Sequence, residues 1–156
     1  MKFFIFGIFS IAFCFSCTKE STTNSHSYIV NKTTHKIKIN PYFNGVIPSE
    51  KAIILLGNDT VEIANESSRG INGNSGFYSS NFAGSDSVIV IFDDTYYITH
   101  YSIAPMNYSN KYYLYSSNRN ILNKNSFIYS SQDISGHQRE NFYYYNFIEQ
   151  DYLDTQ

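Results

Sequence analysis

The stretch SVIVIF (87–92), Asp93-Asp94 and TYYITHY (95–101) reads as strand, turn and strand, and no other part of the chain restricts the fold as strongly. From Val88 to Phe92 every side chain is apolar. Both faces of such a strand must leave water, which places it in the middle of a sheet. Asp93-Asp94 supplies the turn, because a short carboxylate can bond the backbone nearby and tolerates turn dihedrals. The second arm is rich in Tyr and Thr, residues that suit a pleated, half-buried surface. Val88, Val90 and Phe92, or their neighbours Ile89 and Ile91, are therefore expected in the core.

Weaker signals of the same kind surround this hairpin. YIVN (28–31) and HKIKIN (35–40) read as two short strands joined by Lys32-Thr33-Thr34, with Ile37 and Ile39 alternating against Lys36 and Lys38. AIILL (52–56) and TVEIA (60–64) are expected to form a hairpin across Gly57-Asn58-Asp59. SFIYSS (126–131) and ENFYYYNFI (140–148) bracket QDISGHQR as a last hairpin, followed by one helical turn. Between these, 65–85 and 102–125 carry Gly, Ser, Asn and Tyr without a clear period and are expected as long loops. Seven or eight short strands separated by turn residues predict an all-β domain: an antiparallel two-sheet sandwich, immunoglobulin-like, over 28–156.

The opening residues carry a different pattern. After Met1-Lys2, the run Phe3–Phe15 has no charge, the layout of a secretory signal. As a helix it would rise about 20 Å, short of the roughly 30 Å hydrocarbon core of a bilayer. Ser16-Cys17 ends the run and resembles the lipobox of bacterial lipoproteins, in which a small residue precedes an invariant cysteine; Cys14 and Phe15 depart from that pattern. The resemblance implies a signal peptide over 1–16, diacylglyceration of the Cys17 thiol, and a lipid-anchored chain that does not span the membrane. An ordinary signal peptide beside an unmodified cysteine is the alternative. Thr18–Ser27 is polar and reads as a flexible tether, so that 17–27 would form the lipidated linker. Lys19-Glu20 is similar to a truncated export signal of surface lipoproteins.

Taken with the strand NKTTHKIKI, the segment DSVIVIFDD, the tetrapeptide NILN and an aromatic closing strand, the chain resembles small envelope lipoproteins of Bacteroidota. That resemblance implies an outer-membrane location, periplasmic or cell-surface facing, with the membrane itself as one partner through the lipid anchor.

The chemistry available to the domain is narrow. Without Lys2 the chain keeps ten basic and thirteen acidic residues, a formal charge of −3, which gives no reason to expect nucleic acid. With Cys17 acylated and 1–16 removed, no thiol remains for a disulfide or a cysteine zinc site. RGINGNSG (69–76) has glycines but neither the P-loop ending nor the dinucleotide spacing. His26, His35, His100 and His137 are scattered, and no nucleophile elbow accompanies them. No cofactor and no metal is expected. A non-catalytic binding or accessory module, acting on another envelope protein or a surface polymer, is the favoured function. A lipid-anchored hydrolase and a structural or inhibitory lipoprotein are the alternatives. The candidate contact residues are Tyr108, Tyr112, Tyr113 and Tyr115, because Tyr joins a large apolar ring to a polar tip. The same property suits packing at the edge of a β core, which is the reading given more weight.

Overall fold

The alternating segments become strands, and the strands assort into two facing sheets. The computed structural model describes residues 20–70, 81–108 and 111–156. The strands are β1 (Ser21–Asn31), β2 (Ile37–Tyr42), β3 (Ile53–Leu55), β4 (Thr60–Gly70), β5 (Ser87–Phe92), β6 (Tyr96–Tyr101), β7 (Tyr112–Tyr113), β8 (Ile128–Ser135) and β9 (Gln138–Phe147). A short helix, α1 (Glu149–Leu153), follows β9. One sheet has the order β4-β1-β9-β8 and the other β3-β2-β5-β6-β7. The expected all-β sandwich is present. It differs from the expectation in having nine strands among the described residues and two parallel pairings, β1 with β9 and β6 with β7.

The central hairpin folds as its sequence dictates. Val88, Val90 and Phe92 of β5 are fully buried and Ile89 and Ile91 half-buried. At the turn, Asp93 and Asp94 both adopt positive φ (50° and 58°), and the Thr95 N–H donates to the Phe92 carbonyl at 3.0 Å. A left-handed pair of residues matches the twist of the flanking strands, and Asp tolerates that region because its side chain is short and polar. Across the sandwich, Ile29 of β1 and Tyr143, Tyr145 and Phe147 of β9 join the same core, with Phe92 meeting Phe147 edge-on at 6.0 Å. Each such fully buried aliphatic or aromatic side chain contributes roughly 1.5–3 kcal/mol relative to exposure.

Three expectations are corrected. First, most of the segment read as a tether is strand. From Ser21 onward the chain forms β1, paired on one side with β4 and on the other with β9, as in Ser25 with Glu66 and with Asn141. Its inward positions Thr23, Ser25 and Ser27 are buried although polar. Backbone pairing on both edges orders this stretch, and small hydroxyl side chains fill its inner face where apolar ones would have signalled a strand. Second, 52–64 is not a hairpin. β3 pairs with β2 in one sheet, and β4 pairs with β1 in the other.

The cause of that switch is Asn31. Its fully buried amide donates to the carbonyls of His35 (2.7 Å) and Leu56 (2.8 Å), while its oxygen accepts from the Thr33 N–H (3.0 Å) and hydroxyl (2.7 Å). One side chain thus holds both corners at which the chain crosses between sheets. Gly57 permits the close approach there, since a Cβ would lie 2.8 Å from the Thr34 carbonyl oxygen. Third, the long loops are shorter than expected. Residues 65–70 belong to β4, Phe82 is buried in the core, and Tyr112–Tyr113 form β7. Most of the glycine stretch 69–76 and all of the lipobox-like segment lie outside the described residues.

Candidate recognition groove beside β7

Pairing of β7 with β6 decides where the sequence-flagged tyrosines go. Thr99 registers with Tyr112 and His100 with Tyr113, so successive side chains point to opposite faces. Tyr112 turns outward. Its ring stacks on Tyr108 at 4.4 Å with an interplanar angle of 17°, and Tyr101 flanks the pair at 6.3 and 6.4 Å. Tyr113 turns inward, meets the His100 ring edge-on at 5.2 Å, and donates its hydroxyl proton to Asp154 at 2.5 Å. Burial first, and then the Asp154 carboxylate accepting that proton, drive the Tyr113 pKa far up, so the phenol stays neutral. Tyr115 is exposed and lends its carbonyl to the Asn123 amide at 2.7 Å. Of the four candidates, therefore, Tyr108 and Tyr112 share a surface cluster, Tyr113 is a packing residue, and Tyr115 lies in the turn closed by the Ser117 N–H donating to the Leu114 carbonyl.

Two clefts that share Lys111 run along this edge. One, of about 240 Å³, is lined by Thr95, Tyr96, Tyr97, Lys111 and Thr155. The other, of about 420 Å³, is lined by Ile98, Lys111, Tyr112, Tyr113, Leu153 and Asp154. Together they form a groove with aromatic rings on the sheet side and the polar C-terminal turn opposite. Tyr96, Tyr97, Lys111 and Asp154 were not singled out by sequence. The outward direction of Tyr97 was readable from the alternation of its arm, whereas Asp154 reaches the groove only through tertiary packing. A further cleft of about 470 Å³ lies near the start of β8, lined by Lys124, Asn125, Phe127, Tyr129 and Tyr143.

The wall formed by α1 is held rigidly. The Arg119 guanidinium donates through Nε to Asp151 Oδ1 at 2.9 Å, through Nη2 to Asp151 Oδ2, and through Nη2 to the Asn146 carbonyl at 2.9 Å. Asp151 also accepts the Ile148 N–H at 2.8 Å, capping the helix. The Tyr145 hydroxyl donates to the Arg119 carbonyl at 2.6 Å, and the guanidinium sits 5.2 Å over the Tyr145 ring. Burial pushes the Asp151 carboxyl up, and Arg119 opposes that shift. Behind the groove, His100 accepts the Ile121 N–H through Nδ1 at 3.0 Å, which leaves the proton on Nε2. Among the described residues, that Nε2 has no hydrogen-bond partner. Burial, then the charge of Arg119, pushes its pKa down to about 3.

Two of the other histidines, His26 and His35, are paired with acids. His26 places both ring nitrogens 2.8 Å from carboxylates, Glu62 and Glu140. His35 lies 2.6 Å from Asp93 and 3.3 Å from Glu149, stacked on Tyr152 at 3.7 Å. Carboxylates at both nitrogens favour the imidazolium form of each ring. Desolvation lowers both pKa values, and the hydrogen bonds to the carboxylates outweigh it and raise them. Asp93 and Asp94 occupy the expected turn, with Asp93 accepting from the Lys36 N–H at 3.0 Å and Asp94 from Lys36 Nζ at 2.8 Å. Among the described residues no group of three His, Cys, Asp or Glu side chains could hold a metal ion, and no helix is long and apolar enough to cross a membrane. No family model, curated protein or solved structure matches the chain.

Proposed function

We propose that this chain is a non-catalytic binding module of the bacterial envelope, tethered to the outer membrane by lipid on Cys17, whose sandwich captures an envelope polymer or protein at the groove beside β7. The observation that carries the reading is the concentration of exposed tyrosine rings there. Tyr96, Tyr97, Tyr108 and Tyr112 keep 39, 51, 44 and 38% of their surface exposed. Tyrosine rings offer large contact area at low entropic cost, and rings on a rigid frame suit recognition. Lys111, Asp154 and Thr155 add a cation, an acceptor and a hydroxyl among the rings. Such a surface fits a hydroxyl-rich glycan or an extended polar peptide.

An array of envelope glycans and extended peptides tests the groove. Wild type should bind a restricted set, and Tyr97→Ser with Tyr112→Ser should abolish that binding while leaving the thermal transition nearly unchanged. Binding that survives both changes would place recognition elsewhere. In the same cells, Cys17→Ser should remove metabolic fatty-acid label from the protein, and label that persists would overturn the anchor.

A further inference from the structure

Open sheet edges are templates for pairing, and natural proteins blunt them with short strands, charges, proline or bulges. Among the described residues, three of the four sheet edges are treated in that way. β3 has three residues and β7 two. β4 is long but carries Glu62, Glu66 and Arg69. β8, IYSSQDIS, is blunted least, by one irregularity at Ile134 near its end: all eight residues are exposed, including Ile128 (60%), Tyr129 (53%) and Ile134 (52%). It contains no proline and no lysine, and its single charge, Asp133, is neutralised within its own sheet by Arg139 Nε at 2.7 Å. The register with β9 is regular from Ile128 to Asp133, with one irregularity beyond it, before Ser135.

We propose that two copies of this chain pair antiparallel through β8, joining their four-stranded sheets into one continuous sheet of eight. The strand is self-complementary in the register centred on Ser131. A two-fold axis perpendicular to the sheet then sets Ser131 opposite its own copy, Ser130 opposite Gln132, Tyr129 opposite Asp133, and Ile128 opposite Ile134. Isoleucine faces isoleucine at both ends, Ile134 lying at the irregularity; between them Ser and Gln side chains face each other, and Tyr129 faces the Asp133 carboxylate. Such cross-strand pairs each contribute roughly 0.2–1 kcal/mol beyond the backbone bonds. Like charges stay apart: the two Asp133 side chains are four residues from each other along the strand, about 13 Å at 3.3 Å per residue, beyond the screening length of about 8 Å. The second copy is the occupant because this register satisfies both strands with the same residues, as an isologous interface requires.

The test uses the full chain in mild detergent, with Cys14→Ser and Cys17→Ser removing native thiols and lipid. Directly opposed Cα atoms in an antiparallel pair lie about 4.5–5.5 Å apart, within disulfide reach. Ser131→Cys should therefore give a covalent dimer on mild oxidation, and Ser67→Cys on the β4 edge should not. Sedimentation equilibrium should give twice the chain mass. Ile128→Lys with Ile134→Lys sets lysine against lysine and should return the mass to one chain with the thermal transition retained. Ile128→Lys with Ile134→Glu sets opposite charges across the interface and should restore the doubled mass. A single-chain mass for the unsubstituted strand at about 100 µM, equal cross-linking at 67 and 131, indifference to the double lysine variant, or open-ended polymers would each overturn the proposal.

Discussion

Acidification from pH 8 to pH 5 should remove about 2 kcal/mol of stability through His100 alone. The ring is fully buried, and burial together with the nearby charge of Arg119 pushes its pKa down to about 3, against 6.5 for an unperturbed histidine. Between those two values the unfolded chain binds a proton that the native protein does not. Stability is therefore complete above about pH 6.5 and falls as the pH drops toward 3. At pH 5 the unfolded imidazole lies about 1.5 units below its pKa, and at about 1.36 kcal/mol per unit this gives roughly 2 kcal/mol. His26 and His35 work in the opposite sense, so the wild-type curve alone does not isolate the effect. His100→Gln does: its side-chain oxygen can accept the Ile121 N–H, and it cannot titrate. Urea unfolding at pH 8 and pH 5 should show the stability difference between wild type and variant moving by about 2 kcal/mol in favour of the variant at pH 5. With a urea dependence of about 2 kcal/mol per M, that is about 1 M in the midpoint difference. Midpoints that move in parallel would refute the argument, because they would mean the ring is protonated in the native state or reaches water.

Two further outcomes follow from the ion pairs. Replacing Arg119 with Met should destabilise the protein by about 3 kcal/mol or more, because the Asp151 side chain, 2% exposed, would be left without its partner; calorimetry of the variant measures the loss. The His35–Asp93 pair has a pH window set by both groups: the raised His35 pKa makes its contribution complete below about pH 6.5 and lost as pH rises through the raised value, while the lowered Asp93 pKa makes its share complete above about pH 3.8 and lost in stronger acid. His35→Gln should therefore lower the melting temperature more at pH 5.5 than at pH 8.5, and an equal decrement at both would remove this pair from the account.

What could be read from sequence was whatever local chemistry decides. The β5–β6 hairpin depends on an apolar run, a turn that tolerates positive φ and an alternating return arm, all within fifteen residues, and it formed as read. Of β1, YIVN (28–31) reads as strand, and the seven residues before it could not be read in the same way. The neighbours of β1, Gly70 across from Ser21 and Glu140 across from Asn24, are 49 and 116 positions away in the chain, and the buried side chains of its first seven residues are the hydroxyls of Thr23, Ser25 and Ser27. Nothing within its own residues separates such a strand from a solvated linker, because the order comes from backbone pairing supplied by distant partners. The assignment of β3 and β4 to opposite sheets likewise rests on one buried amide, Asn31, whose partners at His35 and Leu56 are set by the crossing itself.

The groove obeys the same division. Adjacent tyrosines in a strand leave from opposite faces, since the side-chain period is two. Tyr112 and Tyr113 were thus bound to separate once the segment was a strand, and pairing with Thr99 and His100 decided which one turned inward. The inward ring then reaches Asp154, and Arg119 ties Asp151 of the same helical turn to β9, so the groove wall depends on the packing contact made by Tyr113, which lines the groove from the inward face of β7. A recognition edge built in this way couples binding to packing: loss of the Tyr113 hydroxyl would remove one donor to Asp154, leaving Gln150, and would open an oxygen of that carboxylate beside Lys111 to a ligand without removing any ring that touches it.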